Sequence, residues 1–230
     1  MFKFEDLAEY IISFIYPPRC VFCREVLESK FGHGCESWVC SECAKNIPFI
    51  DSSGNKVISV VEYKDNVRRA FYALKYGNRP HIAKTLARIT FDNTSLPEMS
   101  NVCCFAPVPM YHKKQKERGY NQAGLYAKEL SVLYGVSFVE NLLRRTKDTP
   151  PQSGLNTQER RKNVEGAFEF NTEFSQFVFG KAVLLIDDIH TTGATLDECS
   201  KVLLDAGAKE IFCLAFASTI IKQASVSYNL

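Results

Sequence analysis

The chain has 230 residues, of which 46% are hydrophobic and 23% charged, and its formal net charge is +2. That length suits one large domain or a domain with a small module, and the hydrophobic share supports a sizeable core. The near-balanced charge makes no case for a strongly basic nucleic-acid binder, leaving local patches to be judged separately, and no apolar run approaches the ~20 residues of a membrane-spanning helix.

In chain order, Phe4, Leu7, Ala8, Ile11, Ile12 and Ile15 recur at helical spacing and predict a leading helix over 1–16. Glu5, Asp6 and Glu9 argue against a secretory leader, and their charge opposes anionic lipid. The expected compartment is therefore cytoplasmic. Nine cysteines in such a chain point toward metal rather than disulfides. Cys20 and Cys23 form one C-x₂-C pair, Cys40 and Cys43 a second, with sixteen residues (24–39) between them. A two-residue gap lets a tight turn aim two thiolates at one ion, and two such knuckles complete a tetrahedron. The expected ligand set is Cys20, Cys23, Cys40 and Cys43 around a structural Zn²⁺, with His33 and Cys35 as spare candidates inside the loop. Four thiolates leave no open position, so the site is structural or an interaction module. The predicted organisation is a helix and zinc module over 1–50 and an α/β domain over 56–230, joined by the turn-forming 51–55.

A strand is predicted over 57–63, a helix over 65–76 stopped by Gly77-Asn78-Arg79-Pro80, and a second helix over 82–89. From there strands and helices alternate. The predicted strand 101–108 is followed by a basic loop, 112–119. Asn121 caps a helix running to about Tyr134, and 138–143 reads as a strand. The polar stretch 144–163 reads as a long functional loop or lid, with Arg144, Arg145, Lys147, Arg160, Arg161 and Lys162 turned to a polyanionic ligand. Strands over 166–170 and 182–186, a helix over 195–206 and a strand over 210–218 complete the chain. This alternation predicts an α/β fold with a mostly parallel sheet and flanking helices. Cys103, Cys104, Cys199 and Cys213 fall in apolar patterns and read as small buried hydrophobes.

The most informative run is Val183 to Leu196, VLLIDDIHTTGATL. A buried strand feeds two carboxylates, Asp187 and Asp188, then a small, hydroxyl-rich turn of Thr191, Thr192, Gly193, Ala194 and Thr195, then a helix. Such a turn is an anion cradle, because helix N-termini present N–H groups and the positive end of the dipole. Carboxylates beside a phosphate would repel it, so they suit the two hydroxyls of a ribose or indirect contact with Mg²⁺. The basic segment, with Lys114, Arg118 and Gly119, also begins at a strand end, and ligands of open α/β sheets bind there. The two loops are expected to meet in one crevice. Lys114, Arg118 and Gly119, with Arg160 and Arg161 of the lid, are the candidates for a diphosphate.

The DDIHTTGAT string resembles the 5-phosphoribosyl-1-diphosphate (PRPP) loop of type I phosphoribosyltransferases. The likeness implies ribose contacts from Asp187 and Asp188 and a 5-phosphate held by Thr191, Thr192, Gly193, Ala194 and Thr195. With CVFC and CSEC, LKYGNRP, PVPMYHKKQKERGYNQAGLYAKEL and RRTKDTPPQSGLNTQERRKNVEGAFEF in order, nearly the whole chain resembles the ComF family (ComFC/GntX-type). That resemblance implies a type I phosphoribosyltransferase-like fold with an N-terminal Cys₄ zinc module. It also implies PRPP or ribose 5-phosphate with Mg²⁺ as ligand, and a cytoplasmic role in natural competence with single-stranded DNA, a competence helicase and a DNA-processing protein. A glutamine amidotransferase is not expected, since the chain begins Met1-Phe2 and carries no glutaminase segment. Two other readings compete: an active phosphoribosyltransferase with an unknown small-molecule acceptor, and a non-enzymatic nucleic-acid or protein adaptor.

Overall fold

The computed structural model describes residues 17–27, 38–150 and 154–219. The predicted leading helix over 1–16, His33 and Cys35 lie outside these residues. The described chain opens with the cysteine knuckles and a short helix α1 (Ser41–Lys45). It continues through β1 (Val57–Glu62), α2 (Asp65–Tyr76), α3 (Ile82–Asn93) and β2 (Val102–Pro107). Then follow α4 (His112–Arg118), α5 (Gln122–Tyr134), β3 (Leu143–Arg145), α6 (Thr157–Val164), β4 (Phe168–Phe170) and α7 (Ser175–Val178). β5 (Ala182–His190), α8 (Ala194–Asp205) and β6 (Glu210–Ser218) close it.

Four strands form one wholly parallel sheet in the order β1-β6-β5-β2. The two central strands are apolar in succession because helices cover both faces. Leu184, Ile186, Leu214 and Phe216 point into one core with Phe71 and Leu74 of α2, Leu86 of α3 and Tyr126 and Leu130 of α5. Val183, Leu185, Cys213 and Ala215 point into the other, with Leu196, Cys199 and Leu203 of α8. The period-two alternation of strand side chains thus builds two cores from one sheet. The mostly parallel sheet with flanking helices is present as expected.

Three local expectations are corrected. The basic segment after β2 is the helix α4, not a loop. It has no glycine or proline between 112 and 118, its Lys, Gln, Glu and Arg are good helix formers, and Gly119 at φ +85° ends it in the left-handed region. Phe138 makes only an isolated bridge to Phe105. The strand nearby is instead β3, which pairs antiparallel with β4 in a separate two-stranded sheet, Leu143 facing Phe170 and Arg145 facing Phe168. The expected structureless stretch 144–163 holds the end of β3 and most of α6. A reciprocal capping box between Asn156 and Glu159 starts α6.

The cysteine-knuckle segment is attached to the sheet rather than hung from it. Cys20, Val21, Phe22 and Cys43 are buried in the first core. Residues 48–50 run antiparallel along β1, with Ile50 N–H donating to the Val60 carbonyl at 3.0 Å and Glu62 N–H to the Pro48 carbonyl at 2.8 Å. This covers the outer edge of β1, an edge that would otherwise expose unpaired backbone groups. Among the described residues no helix is long and apolar enough to cross a membrane.

Candidate functional site

β2 and β5 are neighbours in the sheet, yet they hand the chain to opposite faces: β2 leads on to α5 in the first core, β5 to α8 in the second. A crevice must open between connections that part in this way, at the carboxyl ends of the strands. A cleft of about 480 Å³ lies there. Asp187, Asp188, Thr191, Gly193, Ala194 and Thr195 line one wall; Arg118, Asn121, Gln122 and Ala123 line another; Arg145 and Arg160 reach it from β3 and α6. Of the residues singled out from sequence for this crevice, Thr192, Lys114, Gly119, Arg144, Lys147, Arg161 and Lys162 are not among the lining. Thr192 Oγ1 accepts from the Ala194 N–H at 3.4 Å and so closes the turn. Lys114 is occupied with the segment after β3, donating to the Thr149 carbonyl at 2.7 Å and facing the Asp148 carboxylate at 3.7 Å.

The sequence reading ended the strand at Ile186. β5 instead continues through Asp187, Asp188 and Ile189 to His190, with Asp187 opposite Ala215 and His190 opposite Ser218 of β6. Strand alternation therefore separates the two carboxylates. Burial first, then the neighbouring Asp188, pushes the Asp187 carboxyl up to about 7, against the pull of the Asp188 N–H and of Lys75. That N–H donates to Asp187 Oδ1 at 2.8 Å. Asp188 faces Lys75 of α2, Nζ to Oδ2 2.7 Å, with side chains only 15% and 25% exposed. Lys75 was missed as a site residue. It lies within the LKYGNRP segment, but nothing in its spacing shows that α2 aims it across the sheet end at β5.

Gly193 caps α8 at φ +80°, a conformation that side-chain-bearing residues rarely adopt. A Cβ there would lie 3.3 Å from His190 Nε2, so the imidazole roofs the turn. The His190 ring is itself held by a 3.3 Å hydrogen bond between Nδ1 and Ser218 Oγ. The first turn of α8 lines the cleft behind it.

On the opposite wall, Asn121 ties two elements together. Its side-chain oxygen accepts from the Ala123 N–H at 3.1 Å, capping α5, while its amide donates to the Val108 carbonyl at 3.0 Å beyond β2. Gln122, 2% exposed, accepts from Arg118 at 2.6 Å through Oε1, and its buried Nε2 has no protein partner. Arg118 lies over the Tyr76 ring, 5.4 Å from its centroid. Arg145 stacks over Phe168 at 5.4 Å and donates to the Thr149 hydroxyl, and its buried Nε also lacks a partner. Two buried donors without acceptors and three arginines on the rim make this half of the cleft receptive to an anion.

The second candidate centre lies in the knuckles. The four thiol sulfurs of Cys20, Cys23, Cys40 and Cys43 lie within 4.8 Å of one another, and Cys23 and Cys40 are 3.6 Å apart. Tetrahedral zinc with bonds of ~2.3 Å needs sulfurs ~3.8 Å apart, so the set fits such an ion with small adjustment. Outer contacts are in place: the Cys43 N–H donates to the Cys40 sulfur at 3.4 Å, and the Asn66 amide to the Cys43 sulfur at 3.8 Å. This group could bind a metal such as zinc.

No protein-family model matches the chain. It is 29% identical to competence protein F of Haemophilus influenzae over 84% of this chain and 93% of that protein. It is 27% identical to the DNA utilization protein YhgH of Salmonella typhi over 79% of each, and 26% identical to competence protein ComFC of Bacillus subtilis over 82% of this chain and 78% of that one. Among solved structures, adenine phosphoribosyltransferase of Thermoanaerobacter pseudethanolicus aligns over 67% of this chain and 75% of its own, at 14% identity and a TM-score of 0.37. The glutamine PRPP amidotransferase of B. subtilis aligns over 60% of this chain at 17% identity and a TM-score of 0.35, and the chain spans about a quarter of that enzyme (26%). Over most of its length, therefore, this chain is a homologue of the competence protein F, ComFC and YhgH proteins, as its resemblance to the ComF family implied.

Proposed function

We propose that this chain is a PRPP-binding, phosphoribosyltransferase-like protein of natural competence that serves the uptake or processing of single-stranded DNA in the cytoplasm. The DNA role follows the names of its relatives, two of them competence proteins and one a DNA utilization protein. The ligand follows from one observation: two carboxylates, a helix N-terminus behind a tight glycine turn, and an arginine-rich wall meet in a single cleft. In this reading Asp187 and Asp188 accept hydrogen bonds from the ribose 2- and 3-hydroxyls. The turn from Thr191 to Thr195 holds the 5-phosphate at the start of α8. Arg118 and Arg160 face the diphosphate, while Lys114, Gly119 and Arg161 stand outside the cleft wall. Lys75 offsets the charge of Asp188, so that an anionic sugar can approach two acids. Mg²⁺, carried in with the diphosphate, would supply further charge neutralisation. The cysteine group holds a structural Zn²⁺ in a module over 1–50, and 56–230 forms the ligand-binding domain. A competence helicase and a DNA-processing protein are the proposed partners.

Calorimetry with PRPP and Mg²⁺ tests the ligand. Asp188→Ala removes a charged hydrogen-bond acceptor worth roughly 1.5–3 kcal/mol, so affinity should fall about ten- to a hundredfold. Gly193→Val should do more damage, through strain at φ +80° and collision with His190. A wild type that binds no PRPP at millimolar concentration contradicts the assignment.

A further inference from the structure

From residue 66 to residue 91 the chain carries no carboxylate and six cations, namely Arg68, Arg69, Lys75, Arg79, Lys84 and Arg88. The run includes nearly all of α2, whose inner face is Val67, Ala70, Phe71 and Leu74. Its outer face presents Arg68 and Arg69, and two tyrosines one helical turn apart. Tyr72 and Tyr76 are each 67% exposed, and their ring centroids are 5.0 Å apart. Tyrosines of this size are ordinarily half-covered, because most of the ring is apolar. Here two adjacent rings stand in solvent between guanidinium groups. Arg118 lies over Tyr76 from the α4 side, and Arg68 lies over the Tyr63 ring at 5.6 Å.

Exposed π-faces one helical turn apart and flanked by arginines, with Asp65 at the start of the helix its only acid, suit a chain of bases on an anionic backbone. A duplex keeps its base faces stacked inside and could not use the rings. We propose that the outer face of α2, formed by Arg68, Arg69, Tyr72 and Tyr76, is the docking surface for single-stranded nucleic acid. Bases stack on the two tyrosines, phosphates pair with the arginines, and the strand passes the rim of the cleft at Arg118. The inference rests on the DNA role proposed above and places it on α2. Tyr120, just after α4, is less suited: its hydroxyl donates to the Leu74 carbonyl at 2.6 Å and its ring packs against the first core.

Fluorescence anisotropy of a labelled oligothymidylate, read over a salt series with the full chain, tests this. Tyr72→Ala with Tyr76→Ala should weaken binding by about tenfold or more and leave the salt slope unchanged. Tyr72→Phe with Tyr76→Phe should stay within about twofold, because stacking needs the ring and not the hydroxyl. Arg68→Gln with Arg69→Gln should reduce the slope of log K against log salt by about 1.4. Photocrosslinking of a 5-iodouracil oligonucleotide to the wild type, which needs no variant to fold, should label the peptide carrying Tyr72 and Tyr76. Full affinity in the double alanine variant, or crosslinks confined to other peptides, overturns the α2 surface while the DNA role stands. A wild type that binds no oligonucleotide overturns both.

Discussion

Asp187 and Asp188 are adjacent, but the protein treats them differently. Asp188 has a cationic partner on α2, whereas burial and its neighbour's charge raise the Asp187 carboxyl to about 7. A carboxyl raised in the fold binds more protons than it does in the unfolded chain across the interval from about 4 to about 7. Stability therefore falls as pH rises through that window, when ionisation is forced on a buried group. Asp187→Asn should remove this dependence. Chemical denaturation at pH 5 and pH 8 should show the variant gaining relative to wild type at the higher pH; an equal difference at both would contradict the burial account. The same ionisation improves Asp187 as an acceptor for a ribose hydroxyl, so the wild type's ligand affinity should rise over the interval in which its stability falls. None of this inequality was legible in the pair of letters DD. It depends on strand alternation and on a lysine more than a hundred residues upstream.

At the level of elements, β6, α2, α5 and α8 were legible because each carries a regular pattern and clear stop signals, whereas β5 and α3 were found but each runs four residues past its expected end. The errors fell where length or partner decides the outcome. α4 was hidden by its charge, since a seven-residue run of mostly charged and polar residues buries nothing and shows no apolar period. β3 and β4 span three residues each and owe their form to each other, not to the main sheet. Asn121 was read correctly as a cap, but not as the tie that joins the end of β2 to the start of α5. Losing both bonds should cost more than a surface cap, about 1–3 kcal/mol, since the Val108 carbonyl is left without its donor. Urea denaturation of Asn121→Ala measures this, and a loss below about 0.5 kcal/mol would show that the tie bears little of the wall's stability.

Across the whole molecule, the cysteine knuckles and the sheet share one core, although the spacing of the cysteines alone suggested a separable module. Cys20 and Cys43 are buried beside Phe22, in the cluster that also holds Phe71 and Leu74 of α2. Removing one ligand should therefore weaken the folded chain as well as the metal site. Cys40→Ser should lower zinc content below one per chain and shift thermal unfolding down, with full zinc content after the substitution contradicting the four-cysteine set. The same core supports α2, which supplies Lys75 to the cleft and Tyr72 and Tyr76 to the surface. The four-cysteine group, the acidic pair and the aromatic face are thus carried on one helix and its neighbours. The central claim is that the cleft between β2 and β5 holds a phosphoribosyl group, and a crystal structure grown with PRPP and Mg²⁺ tests it most directly. The account predicts the 5-phosphate at the turn from Thr191 to Thr195, the ribose hydroxyls on Asp187 and Asp188, and the diphosphate toward Arg118. An empty cleft at saturating ligand, or PRPP bound elsewhere on the chain, would contradict it.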